Sequence, residues 1–258
     1  MADRPGGLDE DALRRALRGA GLPDASVRYE DTTDSTNAVA LRLAGENAPE
    51  WTLVAAGHQT AGRGRLGREW VSEPGASLLC SFVLRPPWPP DRATLLTLLA
   101  GAAMAEAARE HGATDAGCKW PNDLLVGDRK AGGILAEAEV AGERIVHVVV
   151  GVGVNLDRPP PGVEGAAGLG GVGAEALLTS FLSRFASRYR LGTDRIAEAI
   201  LEAYRPLCAT LGRTIRATTI RGETVEGLAM DLDPTGGLLV DGDGGTETVA
   251  FAEVQHLR

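Results

Sequence analysis

The sequence predicts an α/β fold of the α+β type: a mixed β-sheet flanked by helices, joined to a small C-terminal β-domain. Three observations predict it. Strand-like and helix-like segments are interspersed up to about Leu211. The turn AGER at residues 141–144 separates two apolar runs as an antiparallel hairpin would, so the sheet is not all-parallel. After about Leu211 the pattern changes to short strands broken by Gly and Asp.

Taken in order, residues 8–20 read as a short helix ending at Gly21, and residues 35–44 as a second, with Asp34 or Ser35 placed to cap it. Both are expected at the periphery. Residues 52–56 and 77–84 read as strands. The turn RPPWPP then leads into a long helix over 92–110, capped by Asp91, whose Ala- and Leu-rich composition predicts burial. Residues 123–126, 133–140 and 144–150 read as three strands. A Gly- and Pro-rich loop at 159–173 precedes two helices with apolar residues at i, i+4 spacing: Leu177, Phe181, Phe185 and Tyr189, then Ile196, Ile200 and Tyr204. These helices are expected on a sheet face. RTIRATT, ETVEGLAMDLD, GLLVD and ETVAFAEV complete a compact β-barrel or sandwich. With a boundary near Gly212, the chain divides into an N-terminal extension 1–24, a larger domain 25–211 and a small domain 212–258. No internal repeat is present.

At 258 residues the chain can bury a sizeable core, and 44 % hydrophobic with 24 % charged residues is the composition of a soluble globular protein. Lys and Arg number 26 against 35 Asp and Glu, for a formal charge of −9. That balance disfavours nonspecific nucleic-acid binding, which needs a basic surface, so an anionic ligand must be held by a local basic cluster. Cys80, Cys118 and Cys208 are odd in number and widely spaced, with neither zinc-site spacing nor a disulfide framework, and fit a reducing cytoplasm. The stretch MADRPGGLDEDALRR lacks the apolar core of a signal peptide, and no run of about 18 apolar residues could span a bilayer.

Five segments carry chemistry. In GRGRLGREW, residues 62–70, Gly62, Gly64 and Gly67 alternate with Arg63, Arg65 and Arg68, so a backbone free to take positive φ presents amides and guanidinium forks to phosphate or carboxylate. Alone, it reads equally as a solvated basic turn. It is not a P-loop, because Arg68 and Glu69 stand where Lys and Ser or Thr are required. KWPND, residues 119–123, places an ammonium, an amide and a carboxylate together before a strand, a cluster able to bind phosphates and Mg²⁺; the plain alternative is a surface Lys–Asp pair. Asp123 is either a metal ligand or an orienter of Lys119. KAGGIL, residues 130–135, joins a cation to glycines that allow close backbone approach. GVGVNL, residues 151–156, begins like a dinucleotide fingerprint after the apolar run IVHVVV, but Leu156 replaces the third glycine and no helix follows. DSTN, residues 34–37, offers hydroxyls and an amide at a helix start, or simply a cap. His58, His111, His147 and His256 show no metal-ligand spacing and no nucleophilic triad is apparent, so the chemistry rests on arginines, lysines and backbone amides.

In chain order, DSTN, then Gln59 ahead of GRGRLGREW, then KWPND, KAGGIL and GVGVNL resemble the biotin protein ligase family over about residues 25–205, and the segment after Gly212 resembles its small C-terminal barrel. The resemblance implies a catalytic domain akin to class II aminoacyl-tRNA synthetases and a small Src-homology-3-like barrel. It implies activation of biotin by MgATP to biotinyl-5′-adenylate, then transfer to a lysine of a biotin carboxyl carrier domain, with no prosthetic group. Ser35, Thr36, Asn37 and Gln59 would bind the polar head of biotin, and Arg63, Gly64 and Arg65 would close over its carboxylate and the adenylate phosphate. Lys130 would meet carboxylate and α-phosphate, with Arg65 and Lys119 as further catalytic cations. Gly133 and Gly151 would let backbone approach biotin. Arg63, Arg65, Arg68, Trp70, Lys119, Asn122, Asp123, Lys130 and Asn155 would hold the nucleotide, Trp70 near adenine and Asp123 on Mg²⁺. Only about 24 residues precede the ligase-like region, so a monofunctional ligase without a DNA-binding domain or nucleic-acid partner is expected. The rival readings are a lipoate or octanoate ligase of related fold and a non-enzymatic biotin-binding regulator.

Overall fold

A computed structural model describes residues 7–190, 193–219, 221–250 and 252–257; residues 1–6 of the expected N-terminal extension and Phe251 of the last expected strand lie outside them. The larger sheet runs, in spatial order, β1 (Val27–Glu30), β2 (Leu53–Ala56), β3 (Ser77–Leu84), β7 (Arg144–Asn155), β6 (Arg129–Ala141), β5 (Asp123–Val126) and β4 (Ala116–Lys119). β1 and β2 pair in parallel and the other neighbours are antiparallel, so the sheet is mixed. β1 and β4 were not expected; VRYE and AGCK are as short as β2 and β5 but lack the bulky apolar run that marks LVAA and DLLV. β6 and β7 exceed their expected spans and take in KAGGIL and most of GVGVNL.

Among the described residues five α-helices flank the sheet: α1 (Glu10–Gly19), α2 (Thr36–Gly45), α3 (Thr94–Glu110), α4 (Ala174–Tyr189) and α5 (Thr193–Tyr204). Strand alternation decides which face each covers. Leu78, Cys80, Phe82 and Leu84 of β3 and Val148, Val150, Val152 and Val154 of β7 share one core with α1, α3, α4 and α5. Val54, Val83 and Val149 point the other way, under Val39, Ala40 and Ala44 of α2. Neither α1 nor α2 is therefore peripheral. α3 is buried on nearly every side because it lies between the sheet and α4 and α5. α4 and α5 pack mainly on α3 rather than on the sheet; α4 reaches β3 through Phe181 and Phe185 against Phe82. Asp91 does not cap α3. It sits in a 3₁₀ turn, Pro90–Arg92, and the helix opens after Ala93 with no side-chain cap.

The second sheet is antiparallel, in the order β11 (Gly245–Val249), β10 (Leu238–Gly242), β9 (Thr224–Leu232), β8 (Thr214–Thr219) and β12 (Ala252–His256). The run ETVAFAEV thus supplies parts of two strands. Ile215, Ala217, Leu238, Val240 and Val254 belong to the same buried cluster as the larger sheet's core. At the seam, Trp120 donates its indole N–H to Gly236 O at 3.0 Å, and Gly236 (φ 88°) lies against Leu98 of α3. All three cysteines are buried free thiols, and no helix among the described residues is long and apolar enough to cross a membrane.

Candidate active site

The floor of the site is set by register. β6, β7 and β3 align Leu135, Gly151 and Ser81 in one cross-strand row and Gly133, Gly153 and Leu79 in the next. Residues two apart share a face, so the glycines of GVG form a strip without side chains inside a strand, not the turn of a dinucleotide site. Two side chains occupy it. A Cβ at Gly151 would overlap Asn37 Oδ1, and one at Gly153 would stand 2.7 Å from Cε2 of Trp70.

DSTN delivers Ser35, Thr36 and Asn37, all buried, at the start of α2. Its hydroxyls do not cap the helix: Ser35 makes no side-chain cap, and Asp34 Oδ1 accepts from Ser35 N at 2.6 Å. Gln59 Oε1 accepts from Thr36 N at 2.7 Å. Ser81 Oγ, fully buried, lies 2.8 Å from Thr36 Oγ1 and 2.6 Å from Asn37 Oδ1. Asn37 Nδ2 donates to Leu135 O at 3.2 Å and to Glu137 Oε2 at 2.8 Å.

The glycine–arginine loop folds back on itself. Gly64 N donates to Arg68 O at 2.7 Å and Trp70 N to Gly62 O at 2.9 Å, with Leu66 (φ 56°) and Gly67 (φ 73°) left-handed at the tip. Its arginines fasten it at three places. Arg63 donates to Glu137 Oε1 at 2.8 Å. Arg65 donates to Asn122 Oδ1 at 2.8 Å and to Ala252 O at 3.3 Å. Arg68 pairs with Glu253 of β12. Burial pushes the Arg65 guanidinium below its ordinary value, and Asp123 and Glu253 oppose that shift. The Glu253 carboxyl is held below its usual range by its hydrogen bond from Arg68, with the charges of Arg68, Lys119 and Arg65 adding. The indole Nε1 of Trp70 is buried without a hydrogen-bond partner.

Asp123 pairs with Lys130, Nζ to Oδ1 2.5 Å, rather than with Lys119, which is its backbone register partner across the β4–β5 turn. The backbone of Lys130 is fixed in turn: its N donates to Gly165 O and its O accepts from Ala167 N. Asn122 also donates to Ile134 O at 3.1 Å. Ser35, Thr36, Asn37, Gln59, Arg63, Gly64, Arg65, Arg68, Trp70, Lys119, Asn122, Asp123, Lys130, Gly133 and Gly151 line a single cleft. Asn155 does not. Its amide lies 3.2 Å from Ser77 Oγ and donates to Ala167 O at 2.9 Å, so it holds the segment that brackets Lys130.

The cleft walls carry five cations and two carboxylates, Asp123 and Glu253, in a chain of negative net charge. This is a site for an anion. Among the described residues no three His, Cys, Asp or Glu side chains gather as a metal cage. One carboxylate with substrate phosphates is how Mg²⁺ is commonly held, so Asp123 suits a metal that arrives on a nucleotide. Sequence reasoning missed Ser81, Glu137 and Glu253. Ser81 and Glu137 lie in strand patterns with no local mark, and Glu253 comes from the distant small sheet.

Residues 29–155 match the pattern of the Biotin/lipoate A/B protein ligase family, and residues 210–257 that of the Biotin protein ligase C terminal domain. The biotin acetyl-CoA-carboxylase ligase of Mycobacterium tuberculosis is 36% identical across 97% of this chain and 96% of its own length. The bifunctional ligase/repressor BirA of Bacillus subtilis is 32% identical across 99% of this chain and 81% of its own length. Among solved structures, the biotin protein ligase of Aquifex aeolicus in complex with biotin and ATP has a TM-score of 0.72 at 23% identity, covering 90% of this chain and 99% of that one. That last likeness is one of fold.

Proposed function

This chain belongs to the biotin protein ligase family, and from that premise we propose how its cleft performs the reaction. It is an ATP-dependent ligase with biotin and MgATP as substrates and a carboxylase carrier protein as acceptor. In the first step a biotin carboxylate oxygen attacks the α-phosphorus, the bond from that phosphorus to the bridging oxygen breaks, and pyrophosphate leaves. In the second, the ε-amine of a carrier lysine attacks the acyl carbon, the bond to the phosphate oxygen breaks, and AMP leaves behind an amide.

Ser35, Thr36, Asn37 and Gln59 bind the polar head; because Gln59 Oε1 is taken by Thr36, its Nε2 remains to donate to the ligand. The glycine strip lets the ring and acyl chain lie on backbone. Lys130, steadied by Asp123, meets the carboxylate and α-phosphate and stabilises the charge that builds in transfer. Arg65 and Lys119 neutralise the phosphates, Trp70 borders adenine, and Asp123 is the residue that would hold a Mg²⁺ arriving with the nucleotide, which would offset phosphate charge. Arg63 secures the loop from Glu137, and Asn155 acts through the Ala167 segment rather than on the nucleotide. The acceptor is a biotin carboxyl carrier domain, recognised by strand pairing at a sheet edge.

The observation that carries this reading is the meeting of five segments, far apart in sequence, in one basic cleft over a glycine floor. Exchange of labelled pyrophosphate into ATP tests it. Exchange should require biotin and fail with lipoate or octanoate; biotin binding without exchange would sink the reading.

A further inference from the structure

We propose that Glu137 is a positioning residue that couples the polar-head pocket to the glycine–arginine loop. The proposal rests on the reading of the cleft as a biotin ligase site. Glu137 lies on β6, two residues beyond Leu135 and four beyond Gly133, so its side chain stands on the site face of the sheet. Its two carboxylate oxygens serve different masters. Oε2 accepts from Asn37 Nδ2 at 2.8 Å, and Oε1 accepts from Arg63 at 2.8 Å.

Further hydrogen bonds extend this contact into a chain through the polar-head pocket. Thr36 donates to Gln59 Oε1 from both its backbone N, at 2.7 Å, and its hydroxyl, at 3.1 Å. The Ser81 hydroxyl lies 2.8 Å from Thr36 Oγ1 and 2.6 Å from Asn37 Oδ1, and Asn37 Nδ2 donates to Leu135 O and Glu137. The chain ends on a carboxylate whose other oxygen holds the loop. With Oδ1 against Gly151 and Ser81, the Asn37 amide has one satisfied orientation. A ligand that steadies Asn37 therefore steadies Glu137 and, through it, Arg63. By linkage, closure of the loop must equally favour the ligand.

The test uses the full chain and three readouts: biotin Kd by equilibrium dialysis, the release rate of preformed adenylate, and biotin-dependent pyrophosphate exchange. Glu137→Gln keeps an acceptor for Asn37 but loses the charge that holds Arg63. It should leave biotin Kd within about twofold yet speed adenylate release about tenfold, the scale of a hydrogen bond to a charged group. Arg63→Ala should likewise speed adenylate release about tenfold. Together the two substitutions should release adenylate no faster than either alone, because they break one contact. Glu137→Ala should also weaken biotin by about tenfold, since Asn37 loses its acceptor. Release rates that multiply in the double variant, or wild-type release in Glu137→Gln, would overturn the coupling. A wild-type chain without biotin-dependent exchange would overturn instead the reading of the site. Glu137→Gln preserves volume and Arg63 is exposed, so both variants are expected to fold, and a merely structural loss would move all three readouts together.

Discussion

At the scale of single residues, the Lys130–Asp123 pair concentrates charge where the reacting carboxylate and α-phosphate are proposed to meet. Lys130→Met keeps much of the side chain's bulk and removes its charge. It should lower biotin-dependent exchange by about a hundredfold or more, with biotin Kd changed much less. Arg65 is half-buried and tied to Asn122 and Ala252, so Arg65→Ala should loosen the loop over the anhydride. The expected outcome is release of adenylate into solution and labelling of bystander lysines, measured as adenylate in the filtrate and biotin on an unrelated protein. The cleft residues legible in the sequence are those whose chemistry is local: arginines between glycines, or a lysine and an aspartate around a proline. Glu137, Ser81 and Glu253 were not legible, because each owes its role to a partner brought in by folding. Arg63 shows the limit from the other side: its presence at the cleft was readable, its engagement by Glu137 was not.

At the scale of elements, α3 owes its position to burial all round, so deleting side-chain volume there should be costly. Leu98→Ala should lower unfolding stability by about 2–5 kcal/mol in urea titration, the usual range for a buried leucine. Gly151→Ala should be felt differently. The added methyl would displace Asn37, so biotin Kd should rise by about tenfold or more, reporting the loss of at least one buried hydrogen bond. The long elements were legible because period and composition agree over many residues. β1 and β4 escaped because VRYE and AGCK carry no bulky apolar run of the kind that marks the equally short β2 and β5, and GVGVNL misled because glycine pairs in a strand and in a turn look alike until the register is known.

At the scale of the whole molecule, the two sheets share a core, and the small one sends Ala252, Glu253 and Val254 to the cleft. His256, at the end of β12, lies 3.1 Å from Thr210 Oγ1 and 3.4 Å from Arg213. Burial, with the charges of Lys119 and Arg213, pushes its imidazole down to about 4 from an ordinary 6.5. A depressed folded-state value means the unfolded chain binds the proton more tightly. Its contribution is therefore complete above pH 6.5 and is lost as the pH falls through about 4. His256→Gln should flatten the stability profile across that window, as seen in denaturant midpoints measured at successive pH values. The seam itself was invisible to sequence reasoning, which located a change of strand pattern near Gly212 but had no means to dock one sheet on the other.

The placement of Trp70 has an optical consequence. Of the chain's four tryptophans, Trp51 and Trp88 are packed among aromatic neighbours of the core and Trp120 is fixed at the seam. Only Trp70 rides on the glycine–arginine loop, its ring resting on the strip where substrate is proposed to lie. Trp120 also lines the cleft, but its ring is held to Gly236, so the change in intrinsic emission on adding biotin and nucleotide should come chiefly from Trp70 and be largely lost in Trp70→Phe, which makes the loop its own fluorescent reporter.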